Sequence, residues 1–134
     1  MRVVIVGCGR VGATLANKMD GEGHEVTIVD TDPGAFRRLS PGFRGTAIVG
    51  LGIDEDVLRN AGIEGADAFA GVTDDDSANV MACQVAKLIF NVRNVIARAH
   101  DPLWEETYRS LDIKSISPTA IGADLIRQAL SEHQ

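Results

Sequence analysis

Arg2-Val3-Val4-Ile5-Val6-Gly7-Cys8-Gly9-Arg10-Val11-Gly12 stands at the head of the chain. Its first half is a continuous β-branched run of strand length ending in glycine, the pattern of a strand buried on both faces of a parallel sheet. Its second half is G-x-G-x-x-G, after which Val11, Leu15, Ala16 and Met19 recur at helical spacing until Gly21 to Gly23 ends the helix. A second apolar strand, Glu25 to Asp30, follows and closes on an acid 18 residues beyond Gly12. A lone G-x-G-x-x-G is a weak signal, but between a strand and a helix, with an acid ending the next strand, it is a dinucleotide-type fingerprint.

Each residue of that fingerprint has a physical task. Gly7 permits the tight turn, Gly9 lets backbone N–H groups approach phosphate, and Gly12 lets helix and sheet pack closely. The helix N-terminus adds partial positive charge, so a diphosphate is expected against Gly7, Cys8, Gly9, Arg10 and Val11. Arg10 is expected to reach over the phosphates. Asp30 can accept both ribose hydroxyls and would repel a 2′-phosphate, which favours NAD, ATP or ADP over NADP. Asp32, before Pro33, reads as a helix N-cap rather than a ligand group.

The same alternation continues along the chain. Pro33 to Leu39 reads as a helix, Gly45 to Gly50 as strand three, Asp54 to Ala61 as a short helix and Ala66 to Thr73 as strand four. A long helix from Asp76 to Phe90, strand five from Asn94 to Arg98, a helix from Pro102 to Leu111, strand six around Lys114 to Ser117 and a last helix from Pro118 complete it. Asp32-Pro33, Asp101-Pro102 and Ser117-Pro118 each set a capping residue before a proline expected at the first helical position. Strands alternating with helices specify an α/β, Rossmann-like, doubly wound parallel sheet of six strands in a single domain spanning residues 1–134. In such a sheet the crevice opens where strand order reverses, which is expected to bring Thr73 and Asp74 to the ligand, with capping of the following helix as their other role. Arg98, the one charge inside strand five, ends it on the same side and is expected to pair with phosphate or an acid across the crevice.

Composition removes other classes. With 45% apolar and 24% charged residues the chain has the make-up of a packed globular domain. The longest stretch without Asp, Glu, Lys or Arg, Ser77 to Ala86, is too short for a membrane span. Arg10 interrupts the apolar N-terminal run and no small-residue cleavage site follows, so a cytoplasmic location is expected. Cys8 and Cys83 form no C-x-x-C and have no histidine at ligand spacing, so they read as buried apolar residues rather than zinc ligands. The net charge is −6, and Asp54 to Asp76 holds eight acids against Arg59 alone. No basic stripe exists to displace counterions, so nucleic acid is not an expected partner. Asp74, Asp75 and Asp76 are consecutive and cannot all face one cation, so they read as solvated charges at a helix end.

These residues resemble one family: the N-terminal nucleotide-binding module, the RCK or KTN domain, of Trk- and Ktr-type potassium uptake regulators and ligand-gated potassium channels. The resemblance covers essentially the whole chain. It rests on Gly7 to Gly12, Val29-Asp-Thr-Asp-Pro33, Leu58-Arg-Asn-Ala-Gly-Ile63 with Ala66-Asp67, Val72-Thr-Asp-Asp-Asp-Ser-Ala-Asn79, Ile96-Ala-Arg98 and Ile116-Ser-Pro118. It implies a non-catalytic cytoplasmic subunit, peripheral to the inner face of the membrane, that binds NAD(H) or ATP/ADP. It also implies a homodimer or higher ring that gates the flux of potassium, the transported ion, through an integral membrane transporter or channel. The family's nucleotide contacts fall on Gly7 to Val11, Asp30, Thr73, Asp74 and Arg98.

The chain departs from the family after strand three, where Gly50-Leu51-Gly52-Ile53-Asp54 replaces the usual Gly-Asp-Ala-Thr. Leu51 removes a side-chain hydrogen bond to the adenine amino group and leaves two readings: Leu51 packs on the adenine face with altered base preference, or the site has decayed. Ile121, Leu125, Ile126, Ala129 and Leu130 give the last helix, 118–134, a broad apolar face resembling the family's crossover and dimerisation segment. The family's second, smaller ligand-binding domain is absent from these 134 residues, so the chain reads as part of a longer or split subunit.

The competing function is an NAD-dependent oxidoreductase fragment, since many such enzymes carry this fingerprint. Against it, His24, His100 and His133 show no acid–base partner pattern, and no lysine stands out. His24 falls in the turn after the first helix and His133 in the C-terminal tail. Only His100, beside Asp101, is expected near the crevice, facing solvent.

Overall fold

Four consecutive β-branched residues can all be buried only if both sides of their strand are covered. In the computed structural model, which describes residues 1–132, β1 is Arg2–Val6, and Val3, Val4, Ile5 and Val6 are all buried. On one side it pairs in parallel with β2, Glu25–Asp30, which pairs with β3, Thr46–Val49. On the other it pairs with β4, Ala68–Gly71, followed outward by β5, Asn94–Arg98, and β6, Lys114–Ile116. The six-stranded order is β3-β2-β1-β4-β5-β6, so strand order reverses between β1 and β4.

Alternation along β1 divides the core in two. Val3 and Ile5 pack with Ala13 and Ala16 of α1, Arg10–Gly21, and with Ala35 of a 3-10 helix, Pro33–Arg38. Val4 and Val6 face the opposite layer with Leu58 of α2, Glu55–Asn60, Ala82 and Cys83 of α3, Asp76–Gln84, and Tyr108 of α4, Trp104–Ser110. Both cysteines are free and fully buried. A final helix, α5, Pro118–Ser131, buries no residue of its own.

Local chemistry shifts several expected boundaries. The segment after Pro33 is a 3-10 helix, Pro33–Arg38, with Leu39 as its C-cap, whose N–H closes the last turn on Phe36 O at 3.1 Å. Asp32 does cap it, accepting from Gly34 N at 2.9 Å. The long helix expected to Phe90 is α-helical only to Gln84 and continues as a π turn, Val85–Ile89, closed by Phe90 N on Val85 O at 3.2 Å. Pro102 does not start α4. Asp101 Oδ1 accepts from Leu103 N at 3.0 Å and Asp101 O from Trp104 N at 3.0 Å, so a separate turn holds Pro102 and the helix begins two residues later. Ser117 does cap α5, accepting from Ala120 N at 3.1 Å. β4 is shorter than Ala66 to Thr73, although Asp67 N and Val72 N still bond to β1 carbonyls beyond its ends.

The accessible surface is 7823 Å², against roughly 6,800 Å² for an ordinary monomer of this mass. α5 contributes to the excess, since its Ile121, Leu125, Ile126 and Leu130 are all at least half exposed. Among the described residues no helix is long and apolar enough to cross a membrane. His133, in the C-terminal tail, lies outside the described residues, as do the last two positions of the expected 118–134 helix.

Candidate functional site

The reversal of strand order leaves a gap above the carboxyl ends of β1 and β4, and two adjoining cavities fill it. One, of about 500 Å³, is lined by Gly7 to Val11, Asp30, Arg38, Thr73, Asp74, Arg98 and His100, among others. The second, of about 430 Å³, shares Gly7, Asp30, Thr73 and Asp74 and continues over Gly50, Leu51, Gly52 and Ile53 to Ala78 and Met81. Nine of the eleven expected site residues therefore line the first cavity, and Leu51 lines the second. Gly12 lines neither, because it sits beneath the turn: a Cβ there would lie 1.7 Å from Gly7 O.

The first cavity is built for an anion. α2, α3 and α5 are each capped by a side chain, Asp54, Asp75 and Ser117, whereas α1 begins at Gly9 with no side-chain cap and no acid in its first turn. The first intrahelical bond is Ala13 N on Gly9 O at 2.9 Å, so the amides of Arg10, Val11 and Gly12 have no intrahelical acceptor. Gly7, at φ +109, would bring a Cβ within 2.8 Å of Thr73 N, so a bare turn is needed between the two loops. Gly9 is different: nothing lies within 4 Å of a Cβ built there, so its small size leaves open space beside the free amides.

Asp30 is fixed before any ligand arrives. Its Oδ2 accepts from Cys8 N at 2.7 Å and its Oδ1 from Asp32 N at 2.9 Å. Each carboxylate oxygen keeps a lone pair for a hydroxyl. Cys8 thus contributes its amide, not its thiol: burial pushes the thiol pKa up, Asp30 adds to the rise and Arg38 opposes it.

Thr73 and Arg98 are held by a residue the sequence did not single out. Asn79, fully buried on α3, accepts from Thr73 N at 2.9 Å and lies 2.7 Å from the Thr73 hydroxyl. Its Nδ2 donates to Thr73 O at 3.1 Å and to Arg98 O at 3.0 Å. Among the described residues the Arg98 guanidinium does not meet an acid. Its Nη1 donates to Thr73 O at 3.3 Å, and its buried Nε has no partner among the described residues. Arg10 is exposed beside the cavity.

The acidic run is solvated at Asp74 and Asp75, as expected, but not at Asp76. Asp74 is exposed at the crevice and Asp75 caps α3 through Ser77 N and Ala78 N. Asp76 is buried and accepts from His100 N at 2.8 Å and Asp101 N at 2.9 Å, bracing α3 against the loop after β5. Three neighbouring aspartates have three roles because the first turn of α3 points them in three directions.

Two further residues were missed. Arg38 Nη1 donates to Cys8 O at 3.4 Å and lines the anion cavity, a contact that no local pattern around Arg38 announces. Met81 reaches the second cavity one helical turn after Ser77, and that spacing was available in the sequence.

A family model described as the TrkA-N domain matches residues 3–118. The Trk system potassium uptake protein TrkA of Streptomyces coelicolor is 45% identical over 130 residues, covering 97% of this chain and 58% of that protein. The chain therefore spans less than two thirds of that relative. The structure of the Shewanella denitrificans Kef CTD in AMP bound form superposes with a TM-score of 0.84 at 22% identity, over 98% of this chain and 80% of that one. The GsuK channel bound to NAD superposes with a TM-score of 0.72 at 19% identity, over 87% of this chain and 21% of the channel. At such identities the two structures establish the fold alone.

Proposed function

The chain belongs to the TrkA-N domain family, and from that membership we propose that it is the nucleotide-binding part of a regulatory subunit of a potassium uptake system or channel. In this reading NAD(H) or ATP/ADP occupies the crevice. The free amides of α1 hold the diphosphate, Arg10, Arg38 and Arg98 supply the positive charge, and Asp30 accepts the ribose hydroxyls. The observation that carries the reading is the uncapped start of α1 facing a carboxylate already held by Cys8 N and Asp32 N.

The subunit acts without catalysis. Nucleotide exchange shifts the population between two arrangements of a dimer or ring, which requires the nucleotides to differ in affinity for the two. The exposed apolar face of α5, with Ile121, Leu125, Ile126 and Leu130, supports pairing with a second copy. An integral membrane potassium transporter or channel subunit is the partner whose flux is controlled. The similarity of the chain to Trk system potassium uptake proteins supports this assignment.

Nucleotide released from the purified protein by heat denaturation identifies what it carries, and titration with NAD, NADH, ATP and ADP ranks them. Binding that disappears in Asp30→Ala supports the reading. No bound nucleotide and no response to any of the four overturns it and leaves a role in assembly alone. NADH oxidation by the isolated protein would instead favour the oxidoreductase alternative.

A further inference from the structure

The second cavity changes character away from Asp30. Beyond the shared residues its large side chains are Leu51, Ile53 and Met81, exposed by 57%, 37% and 50%. Ala78, Ala82, Val6 and Val29 complete that end. Three large apolar side chains converging on one open cavity offer a flat ring contact area on its faces and little at its edge.

The polar groups in the same cavity do not compensate. Asp30 is held at the ribose position by two backbone amides, and Asp75 is used in capping α3. Thr73 is engaged by Asn79, and Asp74 also borders the anion cavity. Thr31 and Ser77 carry hydroxyls, which donate or accept as required and so accommodate a 6-amino or a 6-oxo purine equally. Apart from the carboxylates of Asp30, Asp74 and Asp75, which stand at the ribose position, at the border of the anion cavity and at the first turn of α3, the cavity has no acceptor-only side chain to select an exocyclic amine.

We propose that this site grips its base by apolar contact with Leu51, Ile53 and Met81 and does not read the base edge, so that its ligands are purine nucleotides irrespective of the substituent at position 6. The proposal rests on the nucleotide reading of the crevice and adds its selectivity. Phosphate and ribose contacts fix the ligand, and the purine supplies area.

Calorimetric titration of the full chain with matched pairs tests this: ADP against IDP, and NAD against nicotinamide hypoxanthine dinucleotide, each pair differing only along the base edge, where the N1 acceptor and 6-amino donor of adenine become the N1–H donor and 6-oxo acceptor of hypoxanthine. Affinities within fivefold in each pair support the proposal. Leu51→Ala should weaken both members alike, by roughly three- to tenfold for the lost apolar contact. Leu51→Asp, at an exposed position that tolerates the change, should create a preference for the 6-amino member of tenfold or more, the worth of a hydrogen bond to a charged acceptor. A wild-type preference above fivefold, or no change of preference in Leu51→Asp, overturns the proposal while the nucleotide reading stands. Failure of all four ligands to bind overturns the nucleotide reading and the proposal with it.

Discussion

Alanine at Gly12 and alanine at Gly9 should separate folding from binding within one turn. At Gly12 the new Cβ would sit 1.7 Å from Gly7 O and 2.8 Å from Gly7 C, both backbone atoms of the turn that β1 delivers. A carbon needs roughly 3.2 Å from such an oxygen, so α1 must move away from β1 by about 1.5 Å, and Ala13 and Ala16 must leave their contacts with Val3 and Ile5. Overpacking against main chain lies at the upper end of its range, about 3 kcal/mol or more. For a chain of this size that is a fall in Tm of about 10 °C or more. At Gly9 a Cβ meets nothing within 4 Å, and the ordinary φ of −81° suits any residue. The substitution loses only the N-cap preference of glycine over alanine, at most about 1 kcal/mol. Its methyl group occupies the space beside the free amides, so nucleotide affinity should fall about tenfold or more, which is about 1.4 kcal/mol. Urea unfolding without nucleotide and calorimetric titration with ADP or NAD measure the two effects. Gly12→Ala within 1 kcal/mol of wild type, or Gly9→Ala with unchanged affinity, refutes the reasoning.

Other substitutions probe other links. Asn79→Ala strands Thr73 N, leaves Arg98 O to the Tyr108 hydroxyl at 3.4 Å, and should cost about 1–3 kcal/mol in urea unfolding. The pKa of Cys83 is pushed from 9.0 up to about 12 by burial, only partly offset by a backbone hydrogen bond from Gly71. The native thiol therefore keeps its proton where the unfolded chain loses it. The contribution of this group is complete below about pH 9 and falls by about 1.4 kcal/mol per pH unit from there towards pH 12. Cys83→Ala should flatten the loss of stability with rising pH, and an unchanged slope would count against a buried, protonated thiol. Glutamate at both Leu125 and Leu130 should convert an associating chain into a monomer by sedimentation while leaving its Tm nearly unchanged, because neither side chain belongs to the core.

Legibility in the sequence followed how local the determinant was. The five residues of β5 have the bounds their apolar pattern predicts, and Asp32 and Ser117 cap the elements they precede, since an N-cap bond spans only two or three residues. Pro102 misled because the same local chemistry also builds a turn, and Asp101 closes that turn through Leu103 N before α4 begins. The aspartates at 74–76 look alike in sequence. Asp76 departs from the solvated reading because His100 N and Asp101 N come to it from 24 and 25 residues away.

The sequence by itself determined the order and type of the strands and helices, the glycine turn and the acid at the end of β2. Each depends on side-chain periodicity or backbone freedom within a few residues, and the chain carries that information wherever it is placed. Tertiary structure alone decided that Asn79 ties Thr73 to Arg98, that Arg38 crosses to Cys8, that the Arg98 Nε is buried without a partner among the described residues, and that Leu51, Ile53 and Met81 share a cavity. The links from Asn79 to Arg98 and from Arg38 to Cys8 join residues 19 and 30 apart. They arise because parallel pairing in the order β3-β2-β1-β4-β5-β6 brings the carboxyl ends of separate strands to one edge, and no local pattern encodes which side chains then meet.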